Sequence, residues 1–232
     1  MPPIDTTLRE YPNITQGTDE WRDLRAGIVT ASTVGQLITP STLKVASNET
    51  SRGLTLTLAA ERITGRAEET PMTSDMWRGV ENEPRARDKY AETVAPVREL
   101  GFMTRDNPFD GWALGYSPDG LVGDDGLIEI KSPRPKGHLR TILSDRVPSM
   151  YMAQLQAGLF VSGRQWIDYI SYSGGMPMYV KRVEPDEEWF TAIKAAVVAF
   201  EKDVADMVMA YTEAARTLPA TEYIEPFQEA RV

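Results

Sequence analysis

Apolar residues along the chain recur with two periods, and the change between them divides it. Leu54, Leu58 and Ile63 repeat at helical spacing behind Ser51 and ahead of Gly65, which predicts a helix over 51–65 with these three inward. Thr18 can cap a helix over 20–26, and Thr30 or Ser32 one running through Ile38. Ser74 or Asp75 starts a helical stretch to about Glu92, in which Pro84 predicts a bend or a later start. Beyond residue 96 the runs become strand-like: 97–103, 112–116, 126–132, 166–172 and 178–183, interrupted by a helix over 149–161. A long helix over 186–211 carries Trp189, Ile193, Val197 and Phe200 on one stripe, which reads as core packing. Segments 40–50 and 66–73 read as loops, 1–15 as an N-terminal arm, and 218–232 as a tail that is mobile or used in subunit contacts. This order predicts an α/β fold, a central mixed β-sheet flanked by helices.

Composition narrows the class. The 232 residues carry no Gly/Ser linker and no internal repeat, and read as a single domain over 1–232. No apolar run approaches the roughly 20 residues that span a bilayer, and the N-terminus has no basic segment followed by an apolar one. There is no cysteine, which excludes disulfides, iron–sulfur clusters and thiolate zinc sites. His138 is the single histidine, so a metal here is expected to be held through oxygen, which favours Mg²⁺ or Mn²⁺. The formal net charge is −9, unlike most nucleic-acid binders. The cations nevertheless cluster: Arg22 and Arg25; Arg85, Arg87 and Lys89; Lys131, Arg134, Lys136 and Arg140. An acidic exterior around a basic channel reconciles the two facts.

The most informative stretch runs from Tyr116 to Lys131. Asp119 ends one apolar run, Gly123-Asp-Asp-Gly126 can reverse the chain, and Glu129 and Lys131 stand two residues apart in the next run. Alternation puts Glu129 and Lys131 on one face and Ile130 on the other, and a hairpin brings Asp119 alongside. Two carboxylates and an ammonium on one face suit a hard-cation site with a lysine over a phosphate or its attacking water. A surface hairpin with solvated charges is the plain alternative. Elsewhere, Arg25 and Ser32 flank a presumptive helix start at Thr30-Ala-Ser32, where free N–H groups and a guanidinium can hold phosphate; an ordinary cap serine and surface arginine are the alternative. Tyr151 and Gln154 lie three apart on one helix face.

Pro118-Asp119, nine residues, then Glu129-x-Lys131 resembles the core of the PD-(D/E)xK nucleases. With Trp21-Arg-Asp-Leu-Arg25 through Ser32, Trp77-Arg-Gly-Val-Glu81-Asn-Glu and Tyr151-Met-Ala-Gln154-Leu-Gln156 in order around it, the chain from Trp21 to beyond Glu184 resembles the phage lambda exonuclease or YqaJ-type viral recombinase family. That resemblance implies a restriction-endonuclease-like core and a Mg²⁺-dependent exonuclease. Such an enzyme digests the 5′-ended strand of linear duplex DNA and leaves 3′ single strands for a phage-type annealing protein. Mn²⁺ substitutes, and two ions occupy each site. It implies metal ligation by Asp119, Glu129, the Ile130 carbonyl and, directly or through water, Glu81, with Glu83 as its competitor. Lys131 and Gln154 serve the water or scissile phosphate, Arg25 and Ser32 the 5′-phosphate, and Tyr151 the DNA backbone. It further implies a homotrimeric ring in the cytoplasm of a bacterial host. Segment 44–52 matches the family poorly, and Ser132 stands where a cysteine is usual. A structure-specific or restriction-type endonuclease on the same core, and a non-catalytic DNA-binding module, remain as alternatives.

Overall fold

In chain order the secondary structure is β1 (Thr7–Tyr11), α1 (Asp19–Arg25), β2 (Val29–Thr30), β3 (Ile38–Thr39), β4 (Lys44–Val45), α2 (Glu49–Thr64), α3 (Ser74–Thr93), β5 (Phe102–Asn107), β6 (Trp112–Tyr116), β7 (Gly120–Val122), β8 (Gly126–Lys131), α4 (Pro135–Ser144), α5 (Met152–Ser162), β9 (Trp166–Ser171), β10 (Tyr179–Val183) and α6 (Glu187–Ala215). This is a computed structural model, and it describes residues 6–68 and 71–223. The expected arm and tail fall outside the described residues over 1–5 and 224–232.

The expected mixed sheet is divided in two. One sheet has the order β1-β5-β6-β2 and the other β10-β9-β8-β7, each with one parallel pair. A small hairpin, β3–β4, stands apart. Both faces of the second sheet are covered. Ile128, Ile130 and Ile170 meet Ala86 and Tyr90 of α3 on one side. Leu127, Ile167 and Tyr169 join the larger core with α5 and α6 on the other. Strands buried on both faces tolerate few charges, so the polar residues of β8 are confined to its end.

Most helices begin and end where their caps predict. Thr18 accepts from the Trp21 amide, Asp186 from Glu188 and Trp189, and Gly65 closes α2 in the left-handed region at φ +71°. Helix α2 starts earlier than expected, because Asn48 is the cap and Ser51 is its capping-box partner three residues on. Its Ile63 faces solvent rather than the core. Helix α3 starts at Ser74 and continues through Pro84, so a later start is not needed.

Four further expectations are corrected. Residues 7–11 of the presumed arm form β1 against β5. The strand expected over 97–103 lies at Phe102–Asn107, with only an Arg98–Leu121 bridge before it. Helix α4 was not anticipated; prolines at 133 and 135 mask its period. The expected helix through Ile38 is instead β2 followed by a single 3-10 turn, Val34–Leu37, because Val29 and Thr30 pair in parallel with Leu114 and Gly115.

Candidate active site

The loop Ser117-Pro118-Asp119 carries the chain from the end of β6 in the first sheet to β7 in the second. It therefore brings both sheets to one place. Strands β7 and β8 pair antiparallel with Gly120 opposite Ile128. Continued by one residue, that register sets Asp119 across from Glu129. A Cβ at 120 would meet Val97 Cγ1 at 2.2 Å, so a side chain there would force Val97 to move. The Asp119 Oδ2 atom accepts the Ile130 amide at 2.6 Å. The N–H and C=O of one strand residue leave the same edge, so the Ile130 carbonyl is directed to the Asp119 side while its side chain packs against α3.

Glu129 is 2% exposed and fully engaged. Its Oε1 accepts from Lys131 Nζ at 2.8 Å and Gln154 Nε2 at 2.5 Å, and its Oε2 from Tyr116 Oη at 3.2 Å. The structure thus places Gln154 on Glu129 itself. Tyr151 ends a 3-10 turn just before α5, stacks on Tyr169 at 5.7 Å between centroids, and lies 5.6 Å from Lys131 Nζ. Burial lowers the Lys131 affinity for its proton, but the Glu129 and Asp119 carboxylates outweigh it and raise the pKa above the usual lysine value. Lys131 is therefore a fixed cation at neutral pH.

The helix register turns Glu83, rather than Glu81, toward the sheet. Glu81 is exposed. Glu83 lies three residues before buried Ala86 and seven before buried Tyr90, on the stripe facing the sheet. Burial raises the Glu83 pKa; Arg87 opposes that, and the Glu129 charge adds to it. Arg87 bonds Glu83, pairs with Glu99 at 3.0 Å and donates to the Asp119 carbonyl at 2.8 Å. The spacing 83–86–90 is visible in the sequence and identifies the inward carboxylate; neither Arg87 nor Tyr116 has such a signal.

Arg25 also reaches this corner. Its Nη1 donates to Ser117 Oγ at 3.1 Å, Trp21 Nε1 donates to the same oxygen at 2.9 Å, and the guanidinium stacks 3.9 Å from the Trp21 ring centroid. Burial brings its pKa down to about 10, opposed by the Glu61 charge. It stays charged at neutral pH. Ser32 is exposed, its Oγ 3.0 Å from Thr30 Oγ1. Ser32 precedes only a single 3-10 turn, which has no appreciable macrodipole. What remains is an exposed hydroxyl just past β2, the strand beside β6.

Several of the clustered cations carry carboxylate partners. Arg22 is paired with Asp19, Arg87 with Glu83 and Glu99, Lys89 with Glu92, and Arg134 with Asp75.

The donor set suits a hard cation held loosely. Among the described residues no three Asp, Glu, His or Cys side chains converge as a closed metal cage. Mg²⁺ needs none: it keeps waters and takes one or two carboxylates together with substrate phosphate. Burial, then the Glu129 and Glu83 charges, hold the Asp119 pKa well above the carboxylate range. A raised folded pKa means that the contribution of Asp119 to stability is full below its unfolded value of about 3.9 and is lost as pH rises through the folded value. Asp119→Asn is therefore expected to melt above wild type at neutral pH in chelator, by about 2–4 °C per kcal/mol relieved. The gap should close below about pH 4. Thermal melts with and without Mg²⁺ check this; equal melting points at neutral pH contradict it.

A family model described as the YqaJ-like viral recombinase domain matches residues 20–165. The chain is similar to an alkaline exonuclease from Laribacter hongkongensis at 35% identity and TM-score 0.75, over 87% of this chain and 100% of that one. A structure of LHK-Exo in complex with dAMP matches at 32% identity and TM-score 0.72, over the same shares. A phage-related exonuclease from Haemophilus somnus shares the fold at 15% identity and TM-score 0.60, over 79% and 96%. No curated protein matches. The architecture is the restriction-endonuclease-like fold of phage-type exonucleases.

Proposed function

The chain belongs to the YqaJ-like viral recombinase family, and we propose that it is a phage-type exonuclease that, with Mg²⁺, digests the 5′-ended strand of linear duplex DNA. One observation carries the reading: strand register sets Asp119 across from Glu129, and Lys131 stands on the same face. Asp119, Glu129 and the Ile130 carbonyl would hold the metal, for which Mn²⁺ would substitute, with two ions expected per site. Glu83 takes the place assigned to Glu81, directly or through water. When bound, Mg²⁺ supplies a Lewis acid that activates water and neutralises phosphate charge.

Lys131, fixed as a cation, stabilises the charge that develops on the phosphate. Gln154 holds the Glu129 carboxylate against rotation. Arg25 receives the 5′-phosphate beside Ser117, with the Ser32 hydroxyl just past the neighbouring strand β2, and Tyr151 supports the DNA backbone. The product is a 3′ single strand that a partner annealing protein takes up for recombination.

End dependence separates this reading from an endonuclease. With Mg²⁺, linear duplex should be degraded while closed circles persist and nicked circles react only at the nick. Linearisation of closed circles would favour an endonuclease instead. The family resemblance implies a three-subunit ring, which would explain processive digestion by an acidic chain without strong local grip. Light scattering at micromolar protein is expected to return three times the chain mass; a monomer that still digests long duplex processively removes the ring.

A further inference from the structure

Tyr116 carries a hydroxyl into the core of the molecule. The residue is 1% exposed, and its ring lies among the apolar side chains of the larger core. A phenylalanine fills the same space without a polar atom, and a buried hydroxyl is costly unless bonded. The partner here is Glu129 Oε2, at 3.2 Å. Lys131 and Gln154 bond only the other oxygen, Oε1, so among the described residues Tyr116 is the donor that holds Oε2 and completes the orientation of the carboxylate.

Helix α5 makes room for this contact. A Cβ on Gly158 would stand 2.8 Å from Tyr116 Cζ and 3.1 Å from its Oη. Real Cβ atoms essentially never approach the first distance, so the ring and its hydroxyl would have to shift. Gln154, which holds the other oxygen, is one turn earlier on the same helix. One helix thus sets both constraints on Glu129: one by donating, the other by leaving space.

We propose that Tyr116 is a positioning residue that orients Glu129 for Mg²⁺, with Gly158 as the residue that admits it. This rests on the reading of Glu129 as a metal ligand. Hydrogen bonds behind a ligating carboxylate set its orientation and basicity, and their loss typically costs 10- to 100-fold in metal affinity. The effect falls on metal binding more than on the chemical step.

Tyr116→Phe and Gly158→Ala test it by separate routes, the first removing the hydroxyl and the second displacing it. Two quantities are read: the Mg²⁺ concentration giving half-maximal digestion, and the Mg²⁺ concentration giving half of the metal-induced rise in melting temperature. Both should increase at least about tenfold in Tyr116→Phe, with a far smaller change in the rate at saturating Mg²⁺. Gly158→Ala should shift the same two quantities in the same direction. A Tyr116→Phe protein that melts lower in chelator but keeps both wild-type Mg²⁺ midpoints overturns the proposal, since that is the signature of packing alone. If Gly158→Ala does not fold, the Tyr116→Phe midpoints decide. A wild-type chain whose melting and hydrolysis ignore Mg²⁺ overturns the metal reading and this inference together; a responsive wild type with an unshifted Tyr116→Phe overturns only this inference.

Discussion

Lys131→Ala should lose DNA hydrolysis by about 10²–10³-fold or more while keeping its affinity for Mg²⁺. The ammonium bonds the buried Glu129 carboxylate and is held charged by both acidic neighbours. It contributes positive charge where the phosphate develops negative charge, and it offers no lone pair to a metal. Removing it leaves Glu129 less neutralised, so a divalent cation is attracted at least as strongly as before. Glu129→Gln separates the two roles. It should lose both hydrolysis and the Mg²⁺-induced rise in melting temperature, because the ligand charge itself is gone. Calorimetric Mg²⁺ titration and single-turnover digestion of a linear duplex read the pair of effects. Near-normal turnover of Glu129→Gln in Mg²⁺ means that the active site lies elsewhere.

The second large effect concerns the end of the strand. Arg25→Ala is expected to remove most of the preference for 5′-phosphorylated over 5′-hydroxyl ends. A charge-assisted contact is worth about 1.5–3 kcal/mol, which corresponds to roughly 10- to 150-fold. Arg25 is suited to this because Trp21 and Ser117 fix its guanidinium two residues along the chain from Asp119. It thus joins terminal-phosphate recognition to the carboxylates without a flexible linker. Competing phosphorylated and hydroxyl ends in one reaction gives the ratio directly. An equal loss on both ends assigns Arg25 to the structural link with Ser117 instead.

The hairpin was legible because its determinants are local. Alternation fixed the faces of Glu129, Ile130 and Lys131, and the Gly123–Gly126 turn fixed the register that brings Asp119 across. The long amphipathic helix was legible for the same reason: Ile193, Val197 and Phe200 are buried as their spacing requires. Glu83 was harder to find, since residues two apart on a helix point in nearly opposite directions and only the burial of Ala86 and Tyr90 chooses between them. The helix expected through Ile38 was misread because Ser and Thr favour helix caps and turns alike, and a parallel pairing with β6 decided in favour of a strand and a single turn. Tyr116 had no local mark at all. A tyrosine at the end of an apolar strand looks like any other until tertiary packing brings Glu129 to its hydroxyl. Strand β1 went unseen for a related reason: its residues are mostly exposed, and its partner β5 follows about ninety residues later.

The most direct test of a Mg²⁺-dependent exonuclease acting from the 5′ end uses one linear duplex. It carries distinguishable labels at the 5′ and 3′ ends of the same strand, and digestion is started by Mg²⁺. The predicted result is early release of the 5′ label in mononucleotide form while the 3′ label stays on shortening strands, with no release in chelator or by Glu129→Gln. Early release of the 3′ label, internal fragments bearing either label, or unimpaired release by Glu129→Gln would contradict it.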